Sequence, residues 1–283
     1  MNNGPRGRLF LVGFGPGNHD QITPRALAAI RQSEVVIGYS TYIKLIAELL
    51  EGKRVIRKGM TEELDRAGEA VEIARAGQTV ALVSSGDIGV YGMAGPTFEC
   101  LREVGWKPGD NPDVEVIPGI TALSACASLI GAPLTHDFAA ISLSDLLTPW
   151  ELIERRVEAA AAADFVIALY NPQSKRRNWQ LKKTQEIILK HRSGATPTGI
   201  VKSAYRKLQS VTVSDLAHLH EHEIGMLTTV IIGNSNTYNF AGLIVTPRGY
   251  TNKYDLETHE VLEGQTPGLS LRAPVEPSAG TDE

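Results

Sequence analysis

A regular alternation of short apolar runs with helical patterns through the first half of the chain constrains the fold most. Strands are expected at Arg8–Gly13, Glu34–Gly38, Lys53–Arg57, Gln78–Ser84 and Asp113–Ile117. Apolar residues recur at helical spacing over Thr23–Gln32, Tyr42–Leu50, Glu62–Ala76, Pro96–Val104 and Ile120–Ile130. Strands joined by helical crossovers pair in parallel, and near-continuous apolar strands require cover on both faces. The stretch Gly131-Ala132-Pro133-Leu134-Thr135-His136-Asp137 interrupts the pattern and reads as an interdomain connection.

The second half restarts with strands at Ala139–Leu143 and Phe165–Leu169 and helices at Pro149–Ala163 and Trp179–His191. Thr198–Lys202, Ser210–Val213 and Met226–Ile232 then follow with little helix between them, which predicts antiparallel pairing. The expected fold class is α/β in two units. An N-terminal domain over 8–133 carries a parallel sheet, and a C-terminal domain over 134–254 carries a mixed one. Residues 255–283, with Ala273-Pro274-Val275-Glu276-Pro277-Ser278 near the end, read as a flexible tail. The 283 residues are ample for such a core.

Several function classes are disfavoured. No segment approaches the roughly 20 apolar residues of a membrane helix, and Leu9–Val12, behind Arg6 and Arg8, is too short for a signal-peptide core. A formal net charge of -4 argues against non-specific nucleic-acid binding, which needs clustered cations. Cys100 and Cys126 share no metal-ligand spacing, so a reduced cytoplasmic protein without a metal site is the expectation. His218, His220 and His222 alternate, yet they fail the H-E-x-x-H pattern at Ile224 and read as a solvated turn.

Candidate chemistry gathers at strand ends, where open α/β sheets bind ligands. Gly13-Phe14-Gly15-Pro16-Gly17 closes the first strand. It is either a close approach of backbone to a ligand or a tight packing turn. A dinucleotide site, and with it a nicotinamide dehydrogenase, is disfavoured. Asn18 stands at the sixth position of G-x-G-x-x-G, and the second strand ends in Gly38-Tyr39 rather than in an acid. Ser84-Ser85-Gly86-Asp87 closes the fourth strand, with Asp87 either a ligand acceptor or a turn aspartate. Pro118-Gly119-Ile120-Thr121-Ala122 and Tyr170-Asn171-Pro172 close two more, so one cleft lined by these last three strand ends is expected. Lys175-Arg176-Arg177 follows the last of these, as a solvated face or as a rim for substrate carboxylates.

In combination these residues resemble the tetrapyrrole methylases. The resemblance rests on Leu11-Val12-Gly13-Phe14-Gly15-Pro16-Gly17, Ser85-Gly86-Asp87-Ile88-Gly89-Val90-Tyr91, Pro118-Gly119-Ile120-Thr121-Ala122 and Gly131-Ala132-Pro133-Leu134-Thr135-His136, and runs in order from Leu9 to Tyr250. Ser85 departs from the pattern, since many relatives carry a second glycine there. Further strings are similar to the branch that contracts the macrocycle in cobalamin biosynthesis. They are His136 to Asp145, continuing to Pro149-Trp150-Glu151, then Phe165 to Pro172 and Thr246-Pro247-Arg248-Gly249-Tyr250.

The resemblance implies a homodimer of two-domain subunits with the active site in the cleft between parallel and mixed sheets. S-adenosyl-L-methionine would lie among Pro16, Gly86, Asp87, Val90, Thr121, Ala122, Tyr170 and Ala204. The tetrapyrrole would meet Gly15, Tyr91, Asn171, Lys175, Arg176 and Arg177. His136 and, more weakly, Asp87 are the candidates for proton transfer during contraction, with a structural histidine the rival reading at His136. The implied reaction is methylation at ring carbon 17. Competing implications are another position on the tetrapyrrole, ribosomal RNA, or a corrinoid-binding module without catalysis.

Overall fold

A computed structural model of the protein describes residues 5–174 and 177–272. The first sheet contains β1 (Arg8–Gly13), β2 (Val35–Tyr39), β3 (Arg54–Lys58), β4 (Thr79–Ser84) and β5 (Asp113–Ile117). All pairings in it are parallel, in the order β3-β2-β4-β1-β5. Its strands alternate between two buried faces. Leu9 and Leu11 pack with α3 (Glu63–Arg75) and α4 (Ala94–Glu103). Phe10 and Val12 pack with α1 (Pro24–Gln32) and α2 (Ser40–Leu45). Each fully buried Leu, Val or Phe contributes about 1.5–3 kcal/mol, so the two-sided burial anchors β1 at the centre.

The connection α5 (Ala122–Ile130) leads through β6 (Gly131–Ala132) to a second sheet of β7 (Phe138–Ser142), β8 (Val166–Tyr170), β9 (Pro197–Lys202), β10 (Ser210–Asp215) and β11 (Thr228–Ile232). Its order is β10-β9-β11-β8-β7; β7 and β8 are parallel and the remaining pairs antiparallel. Ile167 and Leu169 of β8 face α6 (Trp150–Ala162) and α7 (Gln180–Ile188). Val166 and Ala168 face Leu123, Ala125, Cys126 and Ile130 of α5.

The helix at Ala122–Ile130 covers the second sheet rather than the first. A third, unexpected sheet reinforces the crossing: β12 (Tyr238–Phe240) pairs with β13 (Leu243–Val245), which pairs with β6. Gly131 sits there at φ +116, and a Cβ on it would lie 2.7 Å from the Ile244 carbonyl oxygen. Only glycine accepts both conditions.

Residues 255–272 make hydrogen-bonded turns, with Leu262 N–H donating to Lys253 O at 2.9 Å and Asp255 N–H to Glu260 O at 2.9 Å. Residues 273–283 lie outside the described residues. Among the described residues, no helix is long and apolar enough to cross a membrane.

Candidate functional site

The strand order determines where loops converge. Inserting β4 beside β1, with β5 on the other side of β1, brings the carboxyl ends of three parallel strands together. Gly15 N–H donates to Gly86 O at 3.0 Å and Gly86 N–H donates back to Gly15 O at 2.7 Å. Gly15 and Gly86 hold φ +78 and +71, the left-handed region that disfavours side chains. The Gly-rich loop therefore pairs with the β4 loop. It does not run into α1, which begins at Pro24 after a 3-10 turn at His19–Gln21.

Asp87 joins the third loop. Its Oδ1 accepts from Gly89 N–H at 2.7 Å and its Oδ2 from Gly119 N–H at 3.0 Å. Both carboxylate oxygens thereby accept from backbone and tie the two loops together. Gly119 is packed so closely that a Cβ would meet the carbonyl oxygens of Gly86 and Gly13, the latter at 2.5 Å.

The opposite wall comes from the second sheet. Tyr170, at the end of β8, reaches α5: its hydroxyl accepts from Leu123 N–H at 2.8 Å and lies 2.7 Å from Thr121 Oγ1. Thr121 occupies the N-cap position of α5 without capping it through its own side chain. Tyr170 satisfies the exposed donor instead. Burial raises the Tyr170 pKa, against the lowering effect of these hydrogen bonds, so the phenol stays protonated at neutral pH. Tyr91 stacks beside it with ring centroids 5.1 Å apart, and its hydroxyl donates to Ala140 O at 3.0 Å.

These walls enclose a cleft with about 860 Å³ of empty space, open to solvent. Pro16, Gly86, Asp87, Val90, Thr121, Ala122, Tyr170 and Ala204 all line it, as do Tyr91 and Asn171. Gly15 stands one residue behind, in the bridge to Gly86. Tyr91, Asn171 and Ser203 in the lining, and Tyr205 beside it, hold φ between +50 and +57. Such a conformation costs a non-glycine residue about 1–3 kcal/mol and persists where surrounding structure over-determines it. Asn171 shows the means, since its side-chain amide donates to Ser142 Oγ at 3.1 Å.

Four expected site residues are placed elsewhere or not described. Arg177 does not form a basic rim. It is buried, with Nη1 donating to Leu143 O and Asn171 O at 3.0 Å each, and Nε 4.0 Å from Asp145. The guanidinium ties the β7 and β8 ends together because those carbonyls need donors. Lys175 and Arg176 lie outside the described residues. His136, in the β6–β7 connection, is absent from the cleft lining; its Nδ1 accepts from Asp137 N–H at 2.8 Å.

Arg206 lines the cleft and was not anticipated. Its Nε donates to Pro16 O at 2.5 Å and its Nη2 to Ser85 Oγ at 2.6 Å, joining the second unit to both glycine loops of the first. Cys126 also lines the cleft, with burial pushing its thiol up to about 11. Among the described residues, no group of three or more His, Cys, Asp or Glu could hold a metal ion. His218 pairs with Asp215 at 2.7 Å and His222 with Ser214 Oγ at 2.7 Å, around a 3-10 turn instead of along one strand face.

A parallel sheet and a mixed sheet sharing a cleft lined with glycine loops define a tetrapyrrole methylase fold. The family model Tetrapyrrole (Corrin/Porphyrin) Methylases matches residues 8–220, and the chain belongs to that family. It is 54% identical over 274 residues to a cobalt-factor III methyltransferase of Priestia megaterium, covering 97% of this chain. The chain spans 50% of that relative's length. It is 46% identical over 243 residues to a probable cobalt-factor III C(17)-methyltransferase of Salmonella typhimurium, covering 86% of this chain and 99% of the relative. Among solved structures, the methyltransferase CobJ aligns with TM-score 0.80 at 37% identity, covering 85% of this chain and all of that one. A uroporphyrin-III C-methyl transferase from Thermus thermophilus, solved with S-adenyl homocysteine, aligns with TM-score 0.61 over 80% of this chain and 97% of its own. At 24% identity the Thermus enzyme shares the fold alone.

Proposed function

We propose that this protein is a precorrin-3B or cobalt-factor III C(17)-methyltransferase. It would use S-adenosyl-L-methionine to methylate ring carbon 17 with ring contraction in cobalamin biosynthesis, giving precorrin-4 or cobalt-precorrin-4. The observation that carries this reading is the single cleft in which backbone and small residues from both sheets converge: Gly86, Ala122 and Ala204 beside Tyr170. The residues present fit the cofactor. A Cβ at Gly86 would find its nearest neighbour 3.7 Å away, so room lies over the backbone there, and the Arg206 cation stands in the wall.

When bound, the cofactor's sulfonium supplies an activated methyl group. The protein's task is then alignment within about 3–3.5 Å and exclusion of water. The Gly15–Gly86 bridge and Asp87 hold one wall, and Tyr170 holds the other against the α5 N-terminus. His136 keeps Nε2 available for proton exchange, because Nδ1 is already engaged by Asp137 N–H. A tetrapyrrole extending beyond the cleft is required for His136 to reach it. The cytoplasmic homodimer belongs to the same reading and is tested by light scattering.

The deciding experiment incubates the protein with S-adenosyl-L-methionine and, separately, precorrin-3B and cobalt-factor III. The expected result is a gain of one methyl group in product mass, with the absorbance change of a contracted ring. No mass gain with either substrate would remove the C(17) assignment, and methylation without the absorbance change would point to another ring position.

A further inference from the structure

Arg206 carries a charge that the described residues do not balance. It lines the cleft, half-buried, and its hydrogen bonds among the described residues go to two neutral acceptors, Pro16 O and Ser85 Oγ. Among the described residues, no carboxylate lies within 4.0 Å of it. The titratable groups that face it are Tyr42 and Cys126, both held protonated at neutral pH by burial. An arginine stays charged throughout the physiological range. A partly desolvated cation without a counter-charge is costly unless an anion completes it.

The neighbouring chain is shaped to place this guanidinium. Gly17 holds φ +130, and a Cβ there would lie 3.1 Å from Arg206 Nε and 3.3 Å from its Cγ. The Gly-rich loop thus gives way to the arginine stem. Pro16 O and Ser85 Oγ fix Nε and Nη2, and Nη1 has no hydrogen-bond partner among the described residues. Ser203 and Tyr205, at φ +53 and +57, hold the segment that delivers it.

We propose that Arg206 binds a ligand carboxylate in the cleft through its guanidinium. The inference rests on the methyltransferase reading and deepens it. Two sources share the chemistry: the aminoacyl carboxylate of the cofactor and a carboxylate on the macrocycle edge. Planar pairing of guanidinium with carboxylate suits either.

The test measures binding, not turnover. Wild type, Arg206→Met and Arg206→Lys are titrated with S-adenosylhomocysteine, with 5′-methylthioadenosine (the same nucleoside thioether without the carboxylate) and with uroporphyrin III at two salt concentrations. If the cofactor supplies the anion, Arg206→Met weakens S-adenosylhomocysteine roughly ten- to a hundredfold and leaves 5′-methylthioadenosine unchanged. If the macrocycle supplies it, uroporphyrin III binding falls by a similar factor and loses part of its salt dependence. Arg206→Lys, which keeps the charge but not the planar fork, should fall between, and it replaces Arg206→Met if that variant does not fold. Equal weakening of both adenosine compounds, or no change in any ligand, would overturn the proposal and leave Arg206 a structural tie. Wild type binding neither adenosine compound would break the cofactor reading instead, and the uroporphyrin arm would still decide Arg206.

Discussion

The two halves of the molecule wall one cleft with different materials. The first half contributes backbone: Gly13, Gly15, Gly86 and Gly119 bring three strand ends together, and the one acidic side chain among them, Asp87, has both oxygens bound to N–H groups. The second half contributes side chains: Tyr170 hydrogen-bonds across to α5, Asn171 to β7, and Arg206 to the glycine loops. A backbone wall tolerates little added volume, while a side-chain wall depends on particular polar atoms. The two should therefore fail in different ways.

The sharpest way to break that contrast is Gly119→Ala. The new Cβ would be forced onto the Gly86 and Gly13 carbonyl oxygens, both backbone atoms that cannot swing aside. A loss of about 3 kcal/mol in urea unfolding is expected, with cofactor affinity falling alongside. Gly68→Ala, inside α3 with nothing within 4 Å, should instead stabilise by about 0.5–1 kcal/mol. If both substitutions gave the same sign, the backbone wall would not be the tight junction described.

Tyr170→Phe sharpens the other side. Removing the hydroxyl adds no volume but leaves Leu123 N–H at the α5 N-terminus without its acceptor. The expected cost is about 1–2 kcal/mol in unfolding, with S-adenosylhomocysteine binding several-fold weaker by calorimetry. Unchanged stability and affinity would mean that Thr121, 2.7 Å away, takes over the cap.

The same difference explains what could be read from sequence. The bounds of β1 coincide with its apolar run, because a central parallel strand buried on both faces carries an uninterrupted signal; those of β5, a half-exposed edge strand, coincide through alternating Val114 and Val116 and then Ile117. The helix over Ala122–Ile130 is equally visible, but its residues are almost all small or apolar, so periodicity does not say which sheet it covers. Strands β6, β12 and β13 have two or three residues each, too few for alternation to register. Arg206 left no local trace. It stands next to Lys207 like any solvated charge, and its partner Pro16 is 190 residues away in sequence. Arg177 misled for the converse reason: adjacency to cations suggested a rim, while the nearby carbonyls of Leu143 and Asn171 drew it inside.

The smallest effect is expected outside the cleft, where the second half also gathers polar side chains. His218 Nδ1 lies 2.7 Å from Asp215 Oδ1, and that hydrogen bond, followed by the charges of Asp215 and Glu221, raises the histidine pKa above its ordinary 6.5. Protonated His218 is thus favoured in the folded state. Its contribution is complete below pH 6.5 and lost as pH rises through the higher folded value. His218 is exposed and Asp215 partly so, and solvent screening keeps the contribution small. His218→Ala should lower the unfolding midpoint slightly at pH 5.5 and leave it unchanged at pH 8.5, and an NMR titration of the wild-type ring should show its midpoint above 6.5. Cofactor affinity should be indifferent to the substitution. A change in cofactor binding would tie this cluster to the cleft and dissolve the distinction between the side chains that wall the site and those that only decorate the surface.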